Sequence, residues 1–196
     1  MLSLSTPRLL LRRWRAEDRE PFYRINSDPR VMEYFPACLT RAESDAGIDR
    51  MEAHFERHGF GLWAAEFLPS GELAGFIGLS TPRFTAHFTP CVEIGWRLDA
   101  RLWGQGLATE GAREAIRCGF EEVRLSEIVS FTVPGNTRSI RVMERLGMRR
   151  DPAGDFDHPS IAGGHPLQHH VLYRLRAAEY RDRRRQQADC GASTLH

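Results

Sequence analysis

Apolar residues follow two rhythms along this chain, one of strands and one of helices, and the switches between them mark the elements. Leu9-Leu10-Leu11 come directly after Thr6-Pro7-Arg8 and, with Arg12-Arg13-Trp14, predict an opening strand, since a proline cannot sit in mid-ladder. Ala16-Glu17-Asp18 begins a more helical stretch that Asp28-Pro29 interrupts. A second helix is predicted from Thr40, an N-cap with Glu43 three residues on, through Met51 to about Arg57, with Gly59 and Gly61 ending it. From Leu62 the period becomes that of strands. Leu62–Phe67, a turn at Pro69-Ser70-Gly71 and Leu73–Leu79 make a hairpin, and Cys91–Leu98 is a third central strand after a proline-flanked loop.

The clearest helix runs from Leu107 to about Val123. Leu107, Gly111, Ala115, Gly119 and Val123 recur every four residues while Glu110, Arg113, Glu114 and Arg117 lie off that row, so one stripe packs on a sheet and the rest meets solvent. Ile128–Val133 is another strand, stopped by Pro134-Gly135. Asn136 N-caps a short helix carrying Ile140, Met143 and Leu146 at helical spacing, and Gly147 closes it. His170–Leu175 is the last strand. The segment 151–170, rich in Gly, Pro, Asp and His and including His165, His169 and His170, reads as a long loop, a kind of segment that is often functional, and is expected to border a binding pocket.

Composition narrows the class. The 196 residues are 41% hydrophobic and 27% charged, which fits one folded domain, expected over 1–180, with a basic, flexible tail over 181–196. Lys and Arg number 27 against 26 Asp and Glu, a formal charge of +1, so no global field argues for nucleic acid or a membrane surface as partner. No apolar run approaches the roughly 20 residues a bilayer needs, and 1–11 lacks the basic start and long apolar middle of a secretory signal; a cytoplasmic location is expected. Cys38, Cys91, Cys118 and Cys190 stand apart with no C-x-x-C pair and read as reduced thiols rather than a zinc or redox site.

The sharpest chemical signal is the turn Arg101-Leu102-Trp103-Gly104-Gln105-Gly106-Leu107-Ala108-Thr109, between a strand and an amphipathic helix. Two glycines one residue apart let backbone N–H groups converge, and the helix adds the positive end of its dipole; such a corner suits a diphosphate. Nucleotide hydrolysis lacks its G-K-[ST], and a dinucleotide fold would want a third glycine at Thr109 and an acidic residue ending the next strand, where Phe131, Thr132 and Val133 stand.

Arg101-x-x-Gly104-x-Gly106 matches the pattern [RQ]-x-x-G-x-[GA], and it is accompanied by Thr6-Pro7-Arg8-Leu9 and by Asn136-x-x-Ser139-x-x-x-x-Glu144-x-Leu146-Gly147 in the same order. Over nearly its whole length the chain resembles the GNAT superfamily of acetyl-coenzyme A dependent N-acetyltransferases, and within it the Rim-type, ribosomal-protein N-terminal acetyltransferase-like branch. The resemblance implies an α/β (α+β) fold: a mixed, mainly antiparallel sheet of about six or seven strands with a splayed central strand, flanked by about four helices. It implies acetyl-CoA as co-substrate, a primary amine as acceptor (a small molecule or a peptide N-terminus), and direct transfer in a ternary complex, with homodimers common among relatives. Backbone groups near Trp96 and Leu98 would hold the pantetheine amides. The turn from Trp103 through Gly104, Gln105, Gly106, Leu107, Ala108 and Thr109 would take the pyrophosphate, with Arg101 either adding charge or simply exposed.

Asn136 lies near the cofactor arm by resemblance and is an N-cap by local physics; both can hold. Seven residues beyond it many relatives carry a tyrosine that protonates the leaving thiolate, but here Met143 stands, and Ser139 takes the acid's place by resemblance to the Rim-type branch. The amine must be neutral to attack. The candidates for the base are Glu93 on the splayed strand and the cluster Asp155-Phe156-Asp157-His158-Pro159, with His158 suited by its ordinary pKa near 6.5, and Asp157 beside it. Asp155, Asp157 and His158 are metal-ligand types without metal-site spacing, so no metal is expected. Asn26, Arg30 and Glu33 lie by resemblance where the first helices line the acceptor side. Met143 also motivates a rival reading, an acyl-CoA binding module that keeps the fold without turnover.

Overall fold

A computed structural model describes residues 3–192 of the chain. One eight-stranded sheet runs in the order β1-β2-β3-β4-β5-β6-β8-β7. Its strands are β1 (Leu4–Ser5), β2 (Leu9–Arg12), β3 (Leu62–Phe67), β4 (Glu72–Ser80), β5 (Glu93–Leu98), β6 (Glu127–Thr132), β7 (Arg149–Asp157) and β8 (His169–Arg176). The helices are α1 (Arg19–Asn26), α2 (Arg41–His58), α3 (Leu107–Glu121), α4 (Thr137–Arg145) and α5 (Ala177–Ala192). Every neighbouring pair is antiparallel except β5 and β6, which makes the sheet mixed and mainly antiparallel as the α/β expectation has it.

Local chemistry explains where the elements stop. Thr40 and Glu43 form a reciprocal capping box at the start of α2, and Gly59 ends it in the left-handed region at φ 74°. The hairpin β3–β4 carries a bulge at Ala65/Glu66. There Gly75, at φ 137°, lies so close to β5 that a Cβ would stand 2.0 Å from the Arg97 carbonyl oxygen.

Two strands exceed the expected set. β1 is a two-residue pairing at the edge, and β7 occupies the first half of the segment read as a loop over 151–170, so the true loop between β7 and β8 covers 158–168. Pro152 and Gly154 disguise β7, whose register against β8 shifts between Asp151 and Phe156. The basic run at 181–187 continues helix α5. The side chain of Cys190 and residues 193–196 lie outside what the structure describes.

The sheet separates two cores. On one face α3 lays Leu107, Ala112, Ala115 and Ile116 against Leu9, Ile77, Leu79, Ile94 and Leu98. Glycines bring it close: at Gly111 a Cβ would stand 2.5 Å from Ile77 Cδ1. On the other face α1 and α2 pack Phe22, Ile25, Ile48 and Met51 around Trp14 and Ala64, with Phe76 at the margin. Along β5, Ile94 and Leu98 therefore belong to the α3 side, while Glu93, Gly95 and Arg97, at alternate positions, belong to the α1–α2 side.

Candidate active site

The two parallel strands touch at one end only. Glu93 pairs with Val129, Val129 N–H donates to the Val92 carbonyl at 2.9 Å, and beyond that point the strands part. Past Ile94, whose carbonyl accepts from Ser130 Oγ at 3.0 Å, the side of β5 turned away from β4 meets no strand among the described residues. Alternate residues of an antiparallel strand point their N–H and C=O outward from the partner, so this stretch offers backbone hydrogen bonds to whatever fills the gap. The gap opens into a cavity of about 780 Å³ lined by Trp96 and Leu98 of β5, Phe131 and Thr132 of β6, Asn136, Ser139 and Met143 of α4 and its cap, and the turn that starts α3.

At the far end stands the glycine turn. Gly104 and Gly106 have φ of 76° and 79°, and a Cβ at Gly104 would meet nothing within 4 Å, so the ground above it is open. The first intrahelical bond of α3 runs from Glu110 N–H to the Gly106 carbonyl at 3.0 Å, which leaves the N–H groups of Leu107, Ala108 and Thr109 ahead of the helical ladder. Thr109 Oγ1 is buried without a hydrogen-bond partner. Open space, convergent amides and an orphaned hydroxyl fit the pyrophosphate arm of a coenzyme A thioester. Trp103 Nε1–H donates to the Leu98 carbonyl at 2.9 Å and braces the turn on β5; Glu110 anchors it to the N-terminal strand, accepting from Thr6 Oγ1 at 2.7 Å and Arg8 Nε at 2.8 Å.

Some residues singled out in the sequence do not reach this cavity. Arg101 is clipped to Asp99, its Nη2 at 2.7 Å from Oδ2, and faces a separate hollow. Gln105 is exposed in the turn, and its side chain lies away from the cavity lining. Asp157 ends β7 exposed, with Oδ1 3.3 Å from His169 Nδ1. A cation that sequence reasoning passed over, Arg8, lies nearer the turn: its Nη2 is 3.8 Å from where a Gly106 Cβ would sit.

Glu93, Ser139 and His158 do line the cavity. Glu93 sits where the strands begin to part, and burial alone pushes its carboxyl up to about 8. Asn136 is held at both ends, Oδ1 accepting from Ser139 N–H at 3.2 Å and Nδ2 donating to Thr132 Oγ1 at 3.0 Å, so it is an N-cap that also ties α4 to β6. His158 Nδ1 accepts from Ser160 N–H at 3.2 Å, which places the neutral ring's proton on Nε2. His170, the first residue of the last predicted strand, lines the same cavity with the opposite tautomer: Nδ1–H faces the Gln168 carbonyl at 3.0 Å and Nε2 keeps its lone pair. The two rings lie 5.1 Å apart in a cluster with Phe84, Phe131 and Phe156, and burial lowers both pKa values, so both are neutral at pH 7. Met143 is 1% exposed and fills the core beneath α4.

Across the mouth, Arg138 of α4 pairs with Glu33 and lies 4.6 Å over the Trp103 ring, while Tyr34 Oη–H donates to the Gly135 carbonyl at 3.0 Å. Arg30 also lines the cavity and is held by Asp28 at 2.6 Å.

A sheet parted beside an amide-rich, glycine-opened helix start defines a transferase that draws an acyl group from a coenzyme A thioester. Residues 8–149 match the acetyltransferase (GNAT) domain family, and the chain belongs to it. It is 32% identical over 146 residues, 74% of this chain and 84% of the relative, to the uncharacterized protein YkkB of Bacillus subtilis. It is 33% identical over 153 residues to the FsC-acetyl coenzyme A-N(2)-transacetylase of Aspergillus fumigatus, of whose length the match spans 64%. Among solved structures, an acetyltransferase (GNAT family) from Bacillus anthracis superposes with a TM-score of 0.74 at 27% identity, covering 91% of this chain and 100% of that one. The protein is an acetyl-CoA-dependent N-acetyltransferase. No helix among the described residues is long and apolar enough to cross a membrane.

Proposed function

We propose that the protein transfers acetyl from acetyl-CoA directly to a primary amine, a small molecule or a peptide N-terminus of the kind Rim-type enzymes modify, within a ternary complex in the cytoplasm. The observation that carries this reading is the gap between β5 and β6, which joins the glycine turn to Glu93 through one continuous cavity. Gly104, Gly106, Leu107, Ala108 and Thr109 hold the diphosphate; the open edge of β5 at Trp96 and at Leu98, whose carbonyl Trp103 already takes, holds the arm. When bound, acetyl-CoA supplies the thioester carbon that the amine attacks.

In its ionised form, which predominates only above about pH 8, Glu93 takes the proton from the attacking nitrogen. A carboxyl raised to about 8 is a far stronger base than an ordinary one, and it is matched to an α-amine whose own pKa lies near 8. A backbone N–H of the open β5 edge steadies the carbonyl oxygen as charge builds there. The C–N bond forms, the C–S bond breaks, and the thiolate takes a proton from solvent, relayed through Ser139 Oγ–H, which regains one from solvent as it gives one up; with a thiol pKa near 8.5 it leaves with little help. His158 presents Nε2–H to the cavity as a donor, and the lone pair of His170 Nε2 is the second basic position. None of these steps uses a covalent enzyme intermediate.

The test is thiol release from acetyl-CoA against a panel of amines. Release that depends on the amine is expected; coenzyme binding without release from any amine would turn the reading into that of a binding module. Trapping an acetylated enzyme on the reaction path would remove direct transfer.

A further inference from the structure

The cavity floor on the α1–α2 side holds a cation that the described residues leave without a counter-charge. Arg97 lies on the same face of β5 as Glu93, with Gly95 between them contributing no side chain. Its Nη1–H donates to Asn26 Oδ1 at 2.7 Å; Asn26 is wholly buried and is itself oriented by donating Nδ2–H to Ser44 Oγ at 2.9 Å. The guanidinium lies 4.2 Å over the Phe35 ring and 5.4 Å from that of Phe76. Its Nε is buried with no hydrogen-bond partner.

These contacts leave a particular part of the group unused. Nε–H and Nη2–H lie on one edge of the planar guanidinium, the edge that grips both oxygens of a carboxylate side-on. Asn26 takes the other edge and the rings take the face. A buried donor without an acceptor costs free energy, a penalty removed by a ligand that supplies one. The charge of the cavity points the same way. Among the described residues its one acidic lining residue is Glu93, whose carboxyl burial pushes up to about 8, whereas Arg97 stays protonated even with burial lowering its pKa to about 10. Polycationic acceptors meet a positive floor.

We propose that the acceptor is a small amine that carries its own carboxylate, of the amino-acid type, and that Arg97 is the residue that selects it by binding that carboxylate through Nε and Nη2. The proposal rests on the reading that this cavity receives the amine beside Glu93. Asn26, Ser44 and Phe35 then act as positioning residues that hold the guanidinium in place.

The experiment compares matched pairs, α-amino acids and longer ω-amino acids against their carboxamides, with polyamines as a third arm, by kcat/KM for thiol release. In the wild-type protein the acid is expected to exceed its amide by about 50-fold or more, mostly in KM, as for a site built to pair a specific polar group. Arg97→Gln is expected to bring acid and amide within about 3-fold of each other, and Arg97→Lys to restore only part of the difference, because the ammonium keeps charge and loses the fork. Calorimetry of the N-acetylated acid and its amide against the wild-type protein with coenzyme A reads the same selectivity without turnover and without any variant. Acid-selective binding with no thiol release from any amine would remove the proposed function and leave the carboxylate site standing. Equal handling of acid and amide by the wild-type protein, in rate and in binding, or a preference for polyamines, would overturn the inference.

Discussion

At the scale of single residues, Glu93 couples stability to function. Its carboxyl is raised by burial, so the folded state holds the proton more tightly than the unfolded chain does. The linkage follows with a definite sign: stability from this group is fully present below the unfolded pKa of about 4.5 and is lost as pH rises through about 8. Glu93→Gln removes the titration, and its melting temperature is expected to fall less than that of the wild type between pH 6 and 9. The same variant is expected to lose about 10²-fold or more in kcat, with the alkaline rise of kcat reduced to the limb that belongs to the amine. Unchanged kcat at pH 8 would hand the base to His170, the other group lining the cavity with a free lone pair.

Gly104 and Gly106 were legible in the sequence because a left-handed turn is a local demand that few residues meet. Arg97 was not, and His170 was legible only as one histidine of a segment expected to border the pocket. Arg97 becomes a cavity residue only once pairing with β4 fixes which face of β5 it takes, and His170 only once β8 aligns with β6. Replacing Gly104 by Val is expected to weaken coenzyme A binding at least 10-fold by calorimetry. The fold should lose only about 1–2 kcal/mol, the cost of a positive φ, since beyond its own chain neighbours no described atom lies within 4 Å of the new Cβ.

Between elements, the close fit of β4 against β5 positions the site. Gly75 adopts φ 137° and leaves 2.0 Å between a would-be Cβ and the Arg97 carbonyl oxygen, so a backbone atom would have to move. Gly75→Ala is expected to cost about 2–4 kcal/mol from strain and overpacking together, and to disturb Arg97 before it disturbs the glycine turn. Denaturant unfolding measures the first effect, and the acid-against-amide ratio the second. Helix boundaries and the β3–β4 hairpin could be read from caps and alternation because those signals lie within a few residues. β7 escaped because Pro152, Gly154 and a register shift erase its period; what makes it a strand is its partner β8, and pairing partners are not written locally.

For the whole molecule, the parted strands divide the sheet into β1–β5 and β6–β8, joined along β5 and β6 by pairing at a single residue pair. Around the gap the halves are held by the α3 core and, at the mouth, by Arg138 with Glu33 and Tyr34 with the Gly135 carbonyl. An exposed ion pair contributes at most about 1 kcal/mol, so this strap orders the mouth more than it stabilises the fold. A ligand lying in the gap takes hydrogen bonds from β5 on one side and packs on α4 on the other, so its binding energy becomes cohesion between the halves. Saturation at about 100 times Kd adds about 2.7 kcal/mol, which for a chain of this size is a rise of about 5–10 °C in melting temperature. Acetyl-CoA is expected to produce that rise and to slow amide exchange at Trp96–Leu98 and Phe131–Thr132 together. In Gly106→Val, which blocks the turn at one end, both effects should vanish. A rise that persisted in this variant would place the coenzyme outside the gap.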